Sequence, residues 1–276
     1  MTVIETISAE KLGQGSPIAL TIVPDEAGLF RKMAEEMFAY IKRSAERGEP
    51  VKMVIPVGPT GQYPYLLEMI NREKVSCRNV IFFLMDEYCT KAGEWIPQDH
   101  PLSFRGFIAR EFLALLDPEL RPLPQNVLTP DPKDPTAYDR RIAEEGGIDV
   151  VFGGIGINGH VAFNEPEPSL TPEEYLELGS RVLEIAPETR VINASNAAGG
   201  NLEAIPEKCV TIGFKQIFSA KRICLYSFRT WQRAVVRRGL HGPITAACPL
   251  SLLQKHHHVS LMITENAAQP ALPPCE

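Results

Sequence analysis

The sequence predicts an α/β fold: one domain over residues 1–276, built on a doubly wound, mainly parallel sheet with helices on both faces. Three observations carry this expectation. Short β-branched and aromatic runs alternate with amphipathic segments along the chain. Several of the runs are apolar at consecutive positions, as strands covered on both faces require. Glycine-bearing turns follow the runs at residues 51–57 and 148–152, and open α/β sheets place their ligands beyond such strand ends.

Residues 18–23 (IALTIV) make the first apolar run, and residues 26–47 then place Leu29, Met33, Met37, Phe38 and Ile41 at helical spacing among charges, up to Gly48. Residues 51–57 (VKMVIPV) read as the next strand, broken at Gly58-Pro59-Thr60-Gly61, with a helix following from Tyr65 to Asn71. Residues 80–85 (VIFFLM) form a strongly apolar strand that runs directly into Asp86-Glu87-Tyr88. Two carboxylates at the end of a buried strand are costly unless solvated or used chemically. Helix capping is the competing account of one of them, set against a following segment that lacks helical pattern.

Helical periodicity returns over residues 104–116 and 137–145, across a proline-rich connection at 118–135. Strands are expected at 180–185, 209–212, 222–227 and 259–263. An Asn/Ala/Gly loop is expected at 193–201, a basic helix at 230–238 and a frayed tail after Glu265.

A net charge of −6 argues against nucleic acid as a partner, and hydrophobic and charged contents of 44% and 22% are ordinary for a globular protein. No run approaches the about 20 apolar residues of a membrane helix, so no membrane partner is expected. The first residues lack the charged-then-apolar order of a signal peptide, which makes the cytoplasm the expected compartment. Six cysteines without a C-x-x-C pair (Cys77, Cys89, Cys209, Cys224, Cys248, Cys275) read as free thiols rather than a zinc site or disulfide framework. His256-His257-His258 reads as a solvated turn, because adjacent side chains point in different directions. No metal and no cofactor are expected; a homo-oligomer is left open.

The chain is organised around residues 148–166, IDVVFGGIGINGHVAFNEP, where a buried strand breaks into Gly153, Gly154, Gly156 and Gly159 and then delivers His160 and Glu165. The spacing G-x-G-x-x-G at Gly154, Gly156 and Gly159 is a weak dinucleotide signal, since Pro166 and Pro168 oppose the helix which that fingerprint should open. An imidazole and a carboxylate at a strand's carboxyl end suit proton transfer instead. The turn GPTGQYP, between strand and helix, is of the kind that cradles a phosphate, although ordinary β-to-α turns use similar residues.

Together GPTGQYP, MDEY, HPLSF, GGIGINGHVAFNEP, TRV (residues 189–191) and CPLSLLQKH resemble the glucosamine-6-phosphate deaminase/isomerase family, in the same order and from about Pro56 to about Ile263. The sister 6-phosphogluconolactonases share the fold but lack the Asn-Glu-Pro seen at Asn164 to Pro166. The resemblance implies conversion of an amino-hexose 6-phosphate, such as glucosamine 6-phosphate, to a ketose 6-phosphate and ammonia without a cofactor. A lactonase or isomerase acting on another sugar phosphate, or a non-catalytic sugar-phosphate sensor, are the alternatives. It also implies Asp86 as the base moving a proton between C2 and C1, and His160, supported by Glu165, as the ring-opening group. An Asp of ordinary pKa, about 3.9, would be ionised and ready to accept a proton at neutral pH. Gly58, Thr60 and Gly61 match the family's phosphate loop, and Arg229 stands where the family usually has a phosphate-binding Lys.

Two departures bear on the chemistry. The family often has a carboxylate two residues before the histidine, where this chain has Asn158, and an Arg soon after T-R-V, where it has Ala194, Ser195 and Asn196. The missing Arg implies weaker phosphate affinity, or a basic residue reaching in from elsewhere. Asn158 joins Asp86, His160 and Glu165 as a candidate catalytic residue that can orient the imidazole without supplying charge; the competing reading is a plain turn residue. From sequence, Glu165→Gln is expected to be close to inactive, and Asn158→Asp to raise turnover or shift the pH optimum in a steady-state assay.

Overall fold

The computed structural model describes residues 3–272. The chain opens with β1 (Ala19–Val23) and α1 (Glu26–Arg47), followed by β2 (Val51–Ile55) and α2 (Gln62–Glu73). β3 (Val80–Leu84) passes through Met85 into β4 (Asp86–Cys89), and then come α3 (Phe104–Glu111), β5 (Val127–Leu128), α4 (Pro135–Glu144) and β6 (Val150–Gly154). The second half holds α5 (Pro172–Leu176), β7 (Arg181–Glu184), α6 (Pro187–Ala197), β8 (Lys208–Thr211) and α7 (Phe214–Phe218). It closes with β9 (Ile223–Ser227), α8 (Arg233–His241), α9 (Pro249–Leu252), β10 (Val259–Thr264) and α10 (Glu265–Ala268).

Seven strands form one sheet in the order β1-β10-β9-β6-β2-β3-β5, and every pairing in it is parallel. Alternate residues enter opposite layers, as the pleat demands. Val54, Phe83, Val151 and Leu261 pack among residues of α4, α5, α7 and α8, while Met53, Phe82, Val150 and Phe152 pack against α1, α2 and α3. The doubly wound α/β expectation therefore holds. A left-handed Gly48 (φ 67°) ends α1 as the sequence indicated.

Other expectations are corrected. Asp86-Glu87-Tyr88-Cys89 does not merely trail off the apolar strand; it forms β4 in a second, antiparallel sheet ordered β4-β8-β7. The loop expected at 193–201 is helical through Ala197, because Pro187 supplies the fixed φ of a first turn and Thr189 and Ala194 are buried. The chain after Glu265 is not frayed at its start, since α10 buries Ala267 and Ala268. The free-thiol reading, by contrast, holds for Cys77, Cys89, Cys209, Cys224 and Cys248, all buried; Cys275 lies outside the described residues. His256-His257-His258 form a bend before β10, with His257 and His258 exposed, in line with the turn expected there.

Glu87 decides the competition over the paired carboxylates. It is fully buried and caps α3 from a distance: Oε1 accepts from the N–H groups of Tyr88 (2.8 Å) and Phe104 (3.1 Å), and Oε2 accepts from Ser103 Oγ (2.8 Å) and Arg105 N (2.9 Å). Arg105 Nε adds an ion pair at 3.3 Å. A negative charge set on the N-terminal N–H groups of a helix is favourable there. Ser103, Phe104 and Arg105, at the start of α3, thus receive a carboxylate from β4. Glu87→Ala should lower stability by about 3–5 kcal/mol, the range for breaking a buried pair, measured as a shift in the denaturant midpoint.

Candidate active site

The carboxyl ends of β2, β6 and β9 open into a cavity of about 530 Å³, whose walls include Gly58, Thr60, Gly61, Asp86, His160 and Arg229. Six of the eight site residues expected from sequence thus meet in one place. Glu165 and Asn158 stand behind His160 rather than on the wall.

His160 is placed by missing atoms. A Cβ at Gly156 would lie 2.0 Å from its Cε1 and 2.1 Å from its Nε2, so the ring rests directly on the glycine backbone. A Cβ at Gly154 would come within 2.6 Å of the Gly58 carbonyl oxygen, so this glycine lets the turns after β6 and β2 touch. Ala162 adopts φ 55°, a left-handed conformation that costs an L-residue about 1–2 kcal/mol. The segment is tied down around it. Asn164 Nδ2 donates to Val161 O and Ile212 O (3.0 and 2.9 Å), Arg181 donates to Asn164 Oδ1 (2.8 Å), and Tyr175 OH donates to the carbonyls of Asn164 and Glu165 (2.6 and 2.8 Å).

The imidazole's tautomer follows from its neighbours. Asn158 Nδ2 lies 2.7 Å from Glu165 Oε2 and 3.1 Å from Glu188 Oε1; only the NH₂ end of an amide can face two carboxylates, so its Oδ1 faces the ring. His160 Nδ1 sits 2.8 Å from that Oδ1 and 3.2 Å from Glu165 Oε2, and therefore carries the proton. In the neutral ring Nε2 is then the acceptor, free to take a proton. Burial works against the charge on Glu165, but hydrogen bonds from His160, Asn158 and Thr189, with the charge of His160, outweigh it and hold the carboxyl below its ordinary value. Asn158 is therefore no plain turn residue. An aspartate there would bring a third carboxylate against Glu165 and Glu188, an arrangement that opposes ionisation of the cluster.

Asp86 contrasts with its neighbour Glu87. Burial, and then the nearby charge of Glu87, push its carboxyl well above the usual carboxylate range, and no hydrogen bond offsets this. The expectation of a base ionised like a free aspartate is corrected: Asp86 holds its proton to higher pH, and is the stronger base once it has lost it.

At the other end of the cavity Arg229 is the sole Lys or Arg on the wall among the described residues. Its guanidinium stacks 4.6 Å over Phe228 and pairs loosely with Glu26 at 3.7 Å. Among the described residues no second Lys or Arg lines the cavity; α6 presents Thr189, Ile192, Asn193, Asn196 and Ala197, one helical face, to it. Sequence reading missed this face along with Gln232. That side chain accepts from the N–H groups of Phe228 and Arg229 (2.9 and 2.8 Å) and donates to Ile155 O (2.7 Å), fastening the end of β9 to the end of β6. A Gln three residues after the N-cap position was the available signal.

Comparison with known proteins now adds to this geometry. Residues 24–262 match the family described as glucosamine-6-phosphate isomerases/6-phosphogluconolactonase. The chain belongs to this family. Among its relatives in the family, a glucosamine-6-phosphate deaminase of Beutenbergia cavernae is 32% identical over 252 residues, covering 90% of this chain and 91% of that protein. One from Mycolicibacterium smegmatis is 30% identical over 250 residues, covering 90% of each. A solved monomeric glucosamine-6-phosphate deaminase superposes with a TM-score of 0.77 at 26% identity, over 91% of this chain and 99% of that one. The 6-phosphogluconolactonase of Trypanosoma brucei shares the fold (TM-score 0.66, 16% identity, over 91% of this chain and 97% of that one). No helix among the described residues is long and apolar enough to cross a membrane.

Gly156→Ala should displace the His160 ring from its seat. The expected outcome is a rotated or disordered imidazole in the variant's crystal structure while the sheet below is unchanged.

Proposed function

We propose that this protein converts an amino-hexose 6-phosphate, glucosamine 6-phosphate in the first instance, into the ketose 6-phosphate and ammonia. The observation that carries the reading is that one cavity holds an unpartnered buried carboxyl, Asp86, and an imidazole whose free Nε2 is fixed by Asn158 and Glu165. The deaminase relatives at 30–32% identity over 90% of the chain support it.

The chemistry follows from these groups. His160 Nε2 takes the proton of the anomeric hydroxyl, the ionised Glu165 stabilises the imidazolium, and the proton passes to the ring oxygen as the C1–O bond to it breaks. In the open chain, ionised Asp86 removes the proton from C2 and returns it to C1. The C2 ammonium of the substrate gives one proton to the C1 oxygen as the enolamine forms, protonation at C1 leaves an iminium at C2, water adds to C2 and passes a proton to the nitrogen, and ammonia leaves to give the ketone. The proton moved between C2 and C1 is thus carried by a side chain on the cavity wall. The phosphate would sit between Arg229 and the turn at Gly58, Thr60 and Gly61, where α2 opens with N–H groups that need acceptors.

Ammonia release from a panel of amino-sugar phosphates tests the reading. Release from one or more supports it; hydrolysis of a sugar-phosphate lactone without ammonia would replace it by a lactonase, and tight binding with no turnover by a sensor.

Asp86→Asn should lower turnover by about 10²–10⁴-fold with binding little changed. In wild type the acid limb of kcat should lie above the ordinary carboxylate range, because the base works only after losing its proton. The stability sign is opposite. Between the unfolded and the raised folded pKa the native state holds a proton that the unfolded chain has lost, so stability falls as pH rises through that window. Asp86→Asn should flatten this fall in urea melts across pH, giving a dead variant that is more stable than wild type at neutral pH.

Arg229→Ala should weaken binding of phosphorylated sugars by about 1.5 kcal/mol, the low end for a charge-assisted hydrogen bond because the guanidinium is half exposed. Equal affinity for a sugar with and without its phosphate, read by calorimetry, would remove Arg229 from that role.

A further inference from the structure

Asn158 makes one contact that supporting His160 through Glu165 does not require: its amide also donates to Glu188 at 3.1 Å. Glu188 is the second residue of α6, one turn before the cavity face of the same helix begins in earnest at Ile192 and Asn193. An amide beside a single carboxylate could turn over and offer its oxygen elsewhere. With carboxylates on two sides of Nδ2 that option is closed, since a flipped amide would set its oxygen against both. Glu165 alone is also shared, because its Oε2 faces both Asn158 and the ring, at 2.7 and 3.2 Å.

We propose that Glu188 is a positioning residue: by holding the Asn158 amide in one orientation it fixes the proton of His160 on Nδ1 and leaves Nε2 as the acceptor. This deepens the deaminase reading and rests on it for the effect on turnover, though not for the effect on the tautomer. In this chain the charge that a carboxylate two residues before the histidine would supply directly stands one residue further out. It acts through an amide, and the amide and Glu188 therefore form a matched pair.

Two kinds of measurement test the proposal. The ¹⁵N spectrum of His160 in the ligand-free protein, assigned against His160→Gln, should show a single Nδ1–H tautomer in wild type. Glu188→Ala should give a tautomer mixture, whereas Glu188→Gln, which keeps an acceptor for Nδ2, should stay close to wild type. A charge that served only the helix N-terminus would make Ala and Gln behave alike, and an unchanged tautomer in Glu188→Ala overturns the proposal whatever the substrate proves to be.

The second measurement is a double-mutant cycle on kcat and KM for glucosamine 6-phosphate. Asn158→Asp, which crowds three carboxylates together, should lower kcat by about tenfold or more with little change in KM. Adding Glu188→Gln should recover most of that loss, a coupling within the range for residues in contact. If the double variant is no faster than Asn158→Asp, the pairing is refuted. Should no amino-sugar phosphate be turned over at all, it is the deaminase reading that has failed, and the tautomer measurement still decides the role of Glu188.

Discussion

The working face of the molecule depends on how closely backbone can approach backbone where β6 ends. Any side chain at Gly154 would meet the Gly58 carbonyl, and any at Gly156 would meet the His160 ring. These two absences bring the turn after β2 against the histidine turn after β6, and they let the ring rest on the chain. Packing interiors resist displacements of even a methylene, so the arrangement is a fixed constraint rather than an adjustable one. The parallel sheet supplies the rest, because β2, β6 and β9 are neighbours in it and deliver their ends to one edge.

Charge is then sorted by hydrogen bonding. Asp86 and Glu87 are adjacent in sequence and both buried, yet one carries several donors and the other faces a cavity with none. Alternation along a strand explains the split, since successive side chains of β4 leave on opposite faces. One carboxylate holds a helix in place while the other lines the cavity with its proton held to higher pH. Glu165 shows the third outcome, a buried carboxylate kept ionised by its neighbours.

Much of this was legible in the sequence. The apolar runs, the turns that follow them and the His160–Glu165 spacing are local signals, and six of the eight expected residues line the cavity. What was not legible depends on distant partners. The four-residue strand β4, with two acidic members, acquires its identity from pairing with β8 across more than a hundred residues. The helicity of 193–197 is hidden by Asn and Ser, which favour caps and turns, and is imposed by burial of Thr189 and Ala194. The role of Glu87 is set by backbone N–H groups from a segment that carries no charge pattern of its own.

Helix α6 is continuous from Pro187 to Ala197, and an α-helix has a fixed rise of about 1.5 Å per residue. Its first turn stands beside Asn158 and His160, while its later turns form a cavity wall with Asn193 and Asn196. Asn193 also donates to the hydroxyl of Tyr88 at 2.9 Å, on the strand that carries Asp86. The helix thus has one end on the Asn158–His160 cluster and its body on the cavity wall. Glu188 beside the imidazole cluster and the wall residues Asn193 and Asn196 are therefore held at a fixed spacing along the same rigid rod.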